Sequence, residues 1–160
     1  MAEARLVRIL PARQLVVTGP ADSALATAVA SLVAAKFTQR SAAGALPVIF
    51  EYGSFGTALL GGLGFGLLPG RIGKRGWTIV DCAGGPDETT ITFAHITGMQ
   101  VADPVRRAIA RTRAAFEAAG VLVDAGEPIS SYDLPETSLG NPNTFRASGF
   151  LSANGRWVTA

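Results

Sequence analysis

The sequence predicts an α+β fold: a two-layer sandwich in which a mostly antiparallel sheet carries two helices on one face. Three observations lead there. The chain opens as strand, turn and helix; two β-branched runs flank a turn rich in glycine and proline; and an Asp-Pro start introduces an amphipathic helix that Gly120 ends. Strands and helices in that order, without regular alternation, favour helices gathered on one face of an antiparallel sheet. The expected domain spans residues 1–123 and contains a Gly-rich apolar segment at 52–70. Residues 124–160 are expected to form an extended C-terminal arm with a terminal β-hairpin.

Each element has its own warrant. Arg5–Leu10 and Arg13–Val17 read as strand, interrupted at Pro11 because proline cannot donate to a ladder. Thr18–Ser23 is a turn with several candidate caps, and Ala24–Phe37 follows with Leu25, Val29, Leu32, Val33 and Phe37 on one helical stripe. Leu46–Tyr52 is a second strand with its proline near the start. Gly76–Cys82 and Glu88–Ile96 alternate as the two arms of a hairpin around Ala83–Asp87. Asp103 supplies a cap, Pro104 suits the first helical position, and Val105, Ile109, Thr112, Phe116 and Ala119 form the inward stripe. Beyond Val123 the chain turns to Pro, Ser, Asn and Gly, and Asp124–Ser148 reads as an extended stretch without a core of its own. Asn154-Gly155 then marks a hairpin in which Ser152 faces Trp157 and Phe150 faces Thr159, expected to dock on the domain's own sheet edge or, as the long connection favours, on a neighbouring subunit.

Composition bounds the function. A chain of 160 residues is one domain by default and can bury about two-thirds of its unfolded surface. Charged residues make up only 16%, against an ordinary ~25%, and the mean hydropathy is +0.31. The net charge of +2 is small for a nucleic-acid binder, which needs a clustered basic surplus. Arg106, Arg107, Arg111 and Arg113 lack interleaved aromatic residues and read as a solvated helix face. The single cysteine excludes an internal disulfide and fits a reducing compartment. Apolar runs near the N-terminus are too short for a signal peptide, so a cytoplasmic protein is expected.

The strongest functional signal is Tyr52–Gly70, nineteen uncharged residues with seven glycines among leucines and phenylalanines. Glycine inside a regular element costs roughly 0.5–1 kcal/mol relative to alanine, so its repeated use suggests a gain from close approach. Phosphate-loop motifs fail here. The run Gly62-Leu63-Gly64-Phe65-Gly66 is followed by Leu67 where a dinucleotide fingerprint needs glycine. A P-loop ending at Gly73-Lys74 would need glycine at Leu68 and Ser or Thr at Arg75.

A spanning helix is also a poor fit. Phe55, Leu59, Leu60, Leu63, Phe65, Leu67 and Leu68 supply only about −2 to −4 kcal/mol of insertion energy, which the glycines and polar residues can erase. Shallow contact, with Arg71, Lys74 and Arg75 at lipid headgroups, is the better membrane reading. Packing of those seven apolar residues against another subunit is a third reading, and an internal crossover of the same domain a fourth.

Catalytic chemistry finds little support. Cys82 and His95 lie on the two arms of one hairpin. His95 shares a face with Ile91 and Phe93, while Cys82 is expected on the opposite parity, and a nucleophilic pair needs contact plus an orienting group. Glu51, Asp81, Asp87 and Glu88 are scattered and suggest no metal loop or cofactor site. The sequence therefore points to a non-enzymatic, self-associating assembly protein, a homo-oligomer held by segment 52–70 and by arm contacts at Phe150 and Trp157, with a membrane surface as the second expected contact. The alternative is a small ligand-binding protein or enzyme whose pocket the Gly-rich segment closes.

Overall fold

A computed structural model describes residues 9–53, 74–153 and 155–158. Strand β1 (Pro11–Thr18) begins at its proline, where no ladder donor is lost. Helix α1 (Ala21–Ala34) leads to the short edge strand β2 (Phe37–Gln39) and to β3 (Val48–Tyr52). The long hairpin of β4 (Gly76–Gly84) and β5 (Glu88–Thr97) follows, as its alternation predicts. A 3-10 turn at Met99–Val101 runs into α2 (Ala102–Ala118), and the short strands β6 (Leu122–Asp124) and β7 (Ile129–Ser130) precede a last helix, α3 (Pro142–Ala147).

Every pairing among the described strands is antiparallel, in the order β2-β3-β4-β5-β1-β6, with β7 against the start of β1. The first strand thus sits between β5 and β6. Helix α1 carries the chain from β1 to the far edge, and α2 carries it from β5 past β1. Both helices lie on the same face, which establishes the α+β class. Leu15, Val17, Phe50, Val80, Ile91 and Phe93 point to them and meet Ala24, Ala28, Leu32, Val105, Ala108, Ile109 and Phe116.

The helices differ from expectation in phase and in their starts. α1 begins three residues early, and its buried line is Ala24, Ala28, Ser31 and Leu32, with Leu25 and Val29 beside it and Val33 left 53% exposed. Alanines on the contact line let this helix lie close to the sheet, so the larger residues flank the contact instead of forming it. Phe37 belongs to β2, because Lys36 turns the chain at φ 71. α2 starts at Ala102, so Asp103 lies in its first turn, paired with Arg106, rather than at the cap. An acid there still suits the positive end of the helix dipole. Ala119 is exposed, while the other four residues of the expected stripe are buried.

The C-terminal region departs most from expectation. Ala12, Ile49, Trp77, Ile79, Ala94 and Ile96 make the second face of the sheet apolar as well, and tail residues between Ile129 and Trp157 cover it. Phe145 and Leu134 are buried there, with Phe150, Leu151 and Trp157 packed beside them. The segment expected to be extended and without a core of its own is laid across the chain's own sheet. Two local devices fold it. Ser130 and Asp133 form a capping box around the turn at Ser131–Asp133, and Asn141 caps α3 by accepting from the Asn143 N–H. The Asn141 amide also donates to the Leu134 carbonyl at 2.9 Å. Gly140 is required by contact: a Cβ there would stand 2.7 Å from Leu134 Cδ1 and 3.1 Å from Ala94 Cβ.

The terminal hairpin forms one residue out of the expected register. Leu151 bridges Trp157, the Ser152 N–H donates to the Arg156 carbonyl, and the Val158 N–H donates to Phe150. Gly155 at φ 72 serves a longer loop than the two-residue turn the Asn-Gly pair suggests.

Docking of the tail on its own sheet sets an expected outcome. Trp157→Ala should lower stability by about 2 kcal/mol, less than the ~3–5 kcal/mol of a fully buried tryptophan, because Trp157 is half-buried. Urea denaturation should show the lower midpoint, with native mass by light scattering unchanged.

Candidate functional site

Strand β3 alternates cleanly. Val48, Phe50 and Tyr52 point to the helices, which puts Ile49 and Glu51 on the opposite face. Glu51 therefore enters an apolar layer, directly across the ladder from Trp77. Its side chain is only 4% exposed, and a buried carboxylate must be paired. Two arginines do this. Arg75 Nε donates to Oε1 at 2.7 Å, while Arg40 donates to Oε2 through Nε at 2.9 Å and Nη2 at 2.8 Å. The Arg75 guanidinium also lies over the Trp77 ring, 5.6 Å from its centroid.

From Trp77 an aromatic stack runs through the tail. Trp77 and Trp157 stack at 5.5 Å, Trp157 and Phe150 at 5.5 Å with planes only 3° apart, and Phe150 meets Phe145 at 5.9 Å. Two cavities border this stack. One of about 440 Å³ touches Arg75, Trp77 and Arg146; the other, of about 450 Å³, lies between residues 40–47 and the tail. A larger groove of about 750 Å³ runs along α2, where Asp103 pairs with Arg106, Glu117 with Arg113, and Arg13 donates to the Ala125 and Gly126 carbonyls.

The expected site residues fall into separate places. Phe55, Leu59, Leu60, Leu63, Phe65, Leu67, Leu68 and Arg71 lie outside the described residues. Tyr52 is buried and pairs with Gly76, so the chain leaves and re-enters the sheet at adjoining strand ends. Lys74 is half-buried, and Arg75, expected at headgroups, is engaged by Glu51. Phe150 and Trp157 are members of the aromatic stack. Sequence reasoning passed over the Arg40–Glu51–Arg75 cluster. The signal was present as one acid inside the apolar run PVIFEY, which a core strand tolerates only with a cationic partner.

Cys82 and His95 prove to share the helix-facing side, contrary to the expected parity. The continuous register from Thr78–His95 to Cys82–Ile91 sets Thr78, Val80 and Cys82 on the same face as Ile91, Phe93 and His95. Cys82 pairs with Ile91 and His95 with Thr78, so four residues of strand, roughly 13 Å, keep them apart. His95 is a packing residue. Its Nε2 donates to the Gly98 carbonyl at 2.9 Å, which leaves Nδ1 to accept from the Thr78 hydroxyl at 3.0 Å. Burial pushes its pKa down to about 4, against a weaker upward pull from the Gly98 carbonyl. Burial, then Asp81 and Asp22, raise the Cys82 thiol, the reverse of what an activated nucleophile needs. Among the described residues no group of three or more His, Cys, Asp or Glu could hold a metal ion, and no helix is long and apolar enough to cross a membrane.

Two outcomes follow from these buried groups. An unfolded histidine binds its proton near pH 6.5, whereas folded His95 resists until about pH 4. Its contribution is complete above pH 6.5 and is lost as pH falls, by about 3 kcal/mol once pH 4 is passed. Urea midpoints measured at several pH values should show this slope, and His95→Gln should flatten it. Glu51→Gln should cost about 3 kcal/mol, because it strands Arg75 beside apolar neighbours; thermal unfolding checks the loss.

No protein-family model matches this chain, and neither a curated protein nor a solved structure matches it, so its reading rests on its own geometry.

Proposed function

We propose that the protein is a non-enzymatic assembly unit that self-associates through segment 52–70. The observation that carries this reading is the Tyr52–Gly76 pair. It joins β3 and β4 at adjoining ends, while α1 and α2 cover one face and tail residues between Ile129 and Trp157 cover the other. Both faces of the described sheet are thus covered without the seven leucines and phenylalanines of the segment. Elsewhere among the described residues the large exposed apolar side chains are Val33, Leu46, Met99, Val123 and Val158, which lie in different elements and connections. A second copy of the chain offers the same uncharged, glycine-rich surface, and small residues allow close approach between copies. The membrane reading loses part of its basis, since Arg75 is committed to Glu51 and fewer of the basic residues remain for headgroups. The tail contributes by completing the body rather than by bridging subunits.

Replacing Phe55–Leu68 with a short Gly/Ser bridge tests the proposal. The variant should keep its circular dichroism and melting temperature, and light scattering should show a smaller native mass than that of the full chain. Loss of the fold would mean that the segment belongs to the core. Unchanged mass together with lost liposome binding would assign the segment to a membrane surface instead.

A further inference from the structure

Most arginines of the described body have local partners. Arg13 donates to the Ala125 and Gly126 carbonyls, Arg106 pairs with Asp103, Arg113 with Glu117, and Arg40 with Glu51. Arg146 stands differently. It lies in the last turn of α3 and lines the cavity of about 440 Å³ together with Arg75, Trp77, Thr97, Leu151 and Gly155. No acidic side chain lines that cavity among the described residues. Arg40 and Arg75 share the single carboxylate of Glu51, and Arg146 adds a third guanidinium at the cavity, so the neighbourhood carries a surplus of two positive charges.

The site is built in advance of any ligand. Glu51 fixes Arg75 through Nε, and the Trp77 ring supports its face, so little side-chain freedom remains to be lost on binding. Gly155, at φ 72, brings the terminal turn close enough that a Cβ there would stand 3.7 Å from Arg75 Nη1. Trp77 and Leu151 give the cavity apolar wall, and its volume falls within the ~300–1,000 Å³ of small-molecule sites.

We infer that this cavity binds a small phosphomonoester, with the phosphate between Arg75 and Arg146 and an apolar body along Leu151. Guanidinium forks match phosphate oxygens in geometry. The surplus of two charges matches a dianion better than a monocarboxylate. This inference does not depend on self-association through segment 52–70.

Calorimetric titration of the full chain with phenyl phosphate, and with benzoate for comparison, tests it at low ionic strength. Phenyl phosphate should bind saturably and more tightly than benzoate. Its affinity should fall as the pH drops below about 6, where the phosphate takes up its second proton. Arg146→Gln should weaken binding about ten- to a hundredfold, as expected for a lost charge-assisted contact. Ala153→Glu, which adds a carboxylate to a residue lining the cavity, should weaken it similarly. Both residues are exposed, so the melting temperature should hold. Absence of saturable phenyl phosphate binding, or equal affinity in the wild type and both variants, overturns the inference.

Discussion

A central strand buried on both sides is the constraint from which the rest of this architecture follows. β5 sends Ile91, Phe93 and His95 to one face and Ala94 and Ile96 to the other, and all five are inaccessible to water. Its neighbour β4 repeats the pattern with Val80 on one face and Trp77 and Ile79 on the other. A sheet that is apolar on both faces cannot be satisfied by two helices on one side, so a second cover is obligatory. The chain supplies it from its last 35 or so residues, which contain little regular structure but place Leu134, Phe145, Phe150 and Trp157 where side chains of the sheet need partners.

The same constraint explains the polar residues inside. Thr78 and His95 occupy buried positions at one end of the helix-facing layer, and each satisfies the other. Glu51 occupies the corresponding end of the opposite layer and requires two arginines. Arg75 comes from the residue just before β4, and Arg40 from the residue just after β2. The cluster therefore links the β2–β3 edge to the start of β4, at the place where segment 52–70 departs. Ion pairs of this kind add little net stability, because desolvation offsets attraction. Their effect is geometric: they fix the ends of two strands and the orientation of one tryptophan.

Much of the fold was legible in the sequence because local rules and tertiary needs agreed there. The β4–β5 hairpin shows strict alternation around a turn, and α2 shows a wide stripe closed by Gly120. Where packing decided, local rules misled. α1 looked as though its largest residues faced inward, yet close approach to the sheet favoured Ala24 and Ala28. β2 is three residues long and exists because β3 offers an edge. The tail was misread because its composition resembles a linker. Its order comes from particular side chains, Asn141 at a helix start before Pro142, and Ser130 with Asp133 around a turn. The Arg40–Glu51–Arg75 cluster was hidden because its members are separated in sequence and meet only through the ladder. The parity of Cys82 relative to His95 depends on the cross-strand register that pairs Cys82 with Ile91, which neither strand shows alone.

The pairing of Tyr52 with Gly76 has a consequence for how this chain can vary. The twenty-three residues between them begin and end at one rung of the ladder. The entropy of closing such a stretch grows only with the logarithm of its length, about 0.6 kcal/mol for each doubling. Closure entropy alone therefore penalises added length between Tyr52 and Arg75 only weakly. That makes this position a graft point, where inserted sequence costs the ladder little provided that Arg75 keeps its pairing with Glu51.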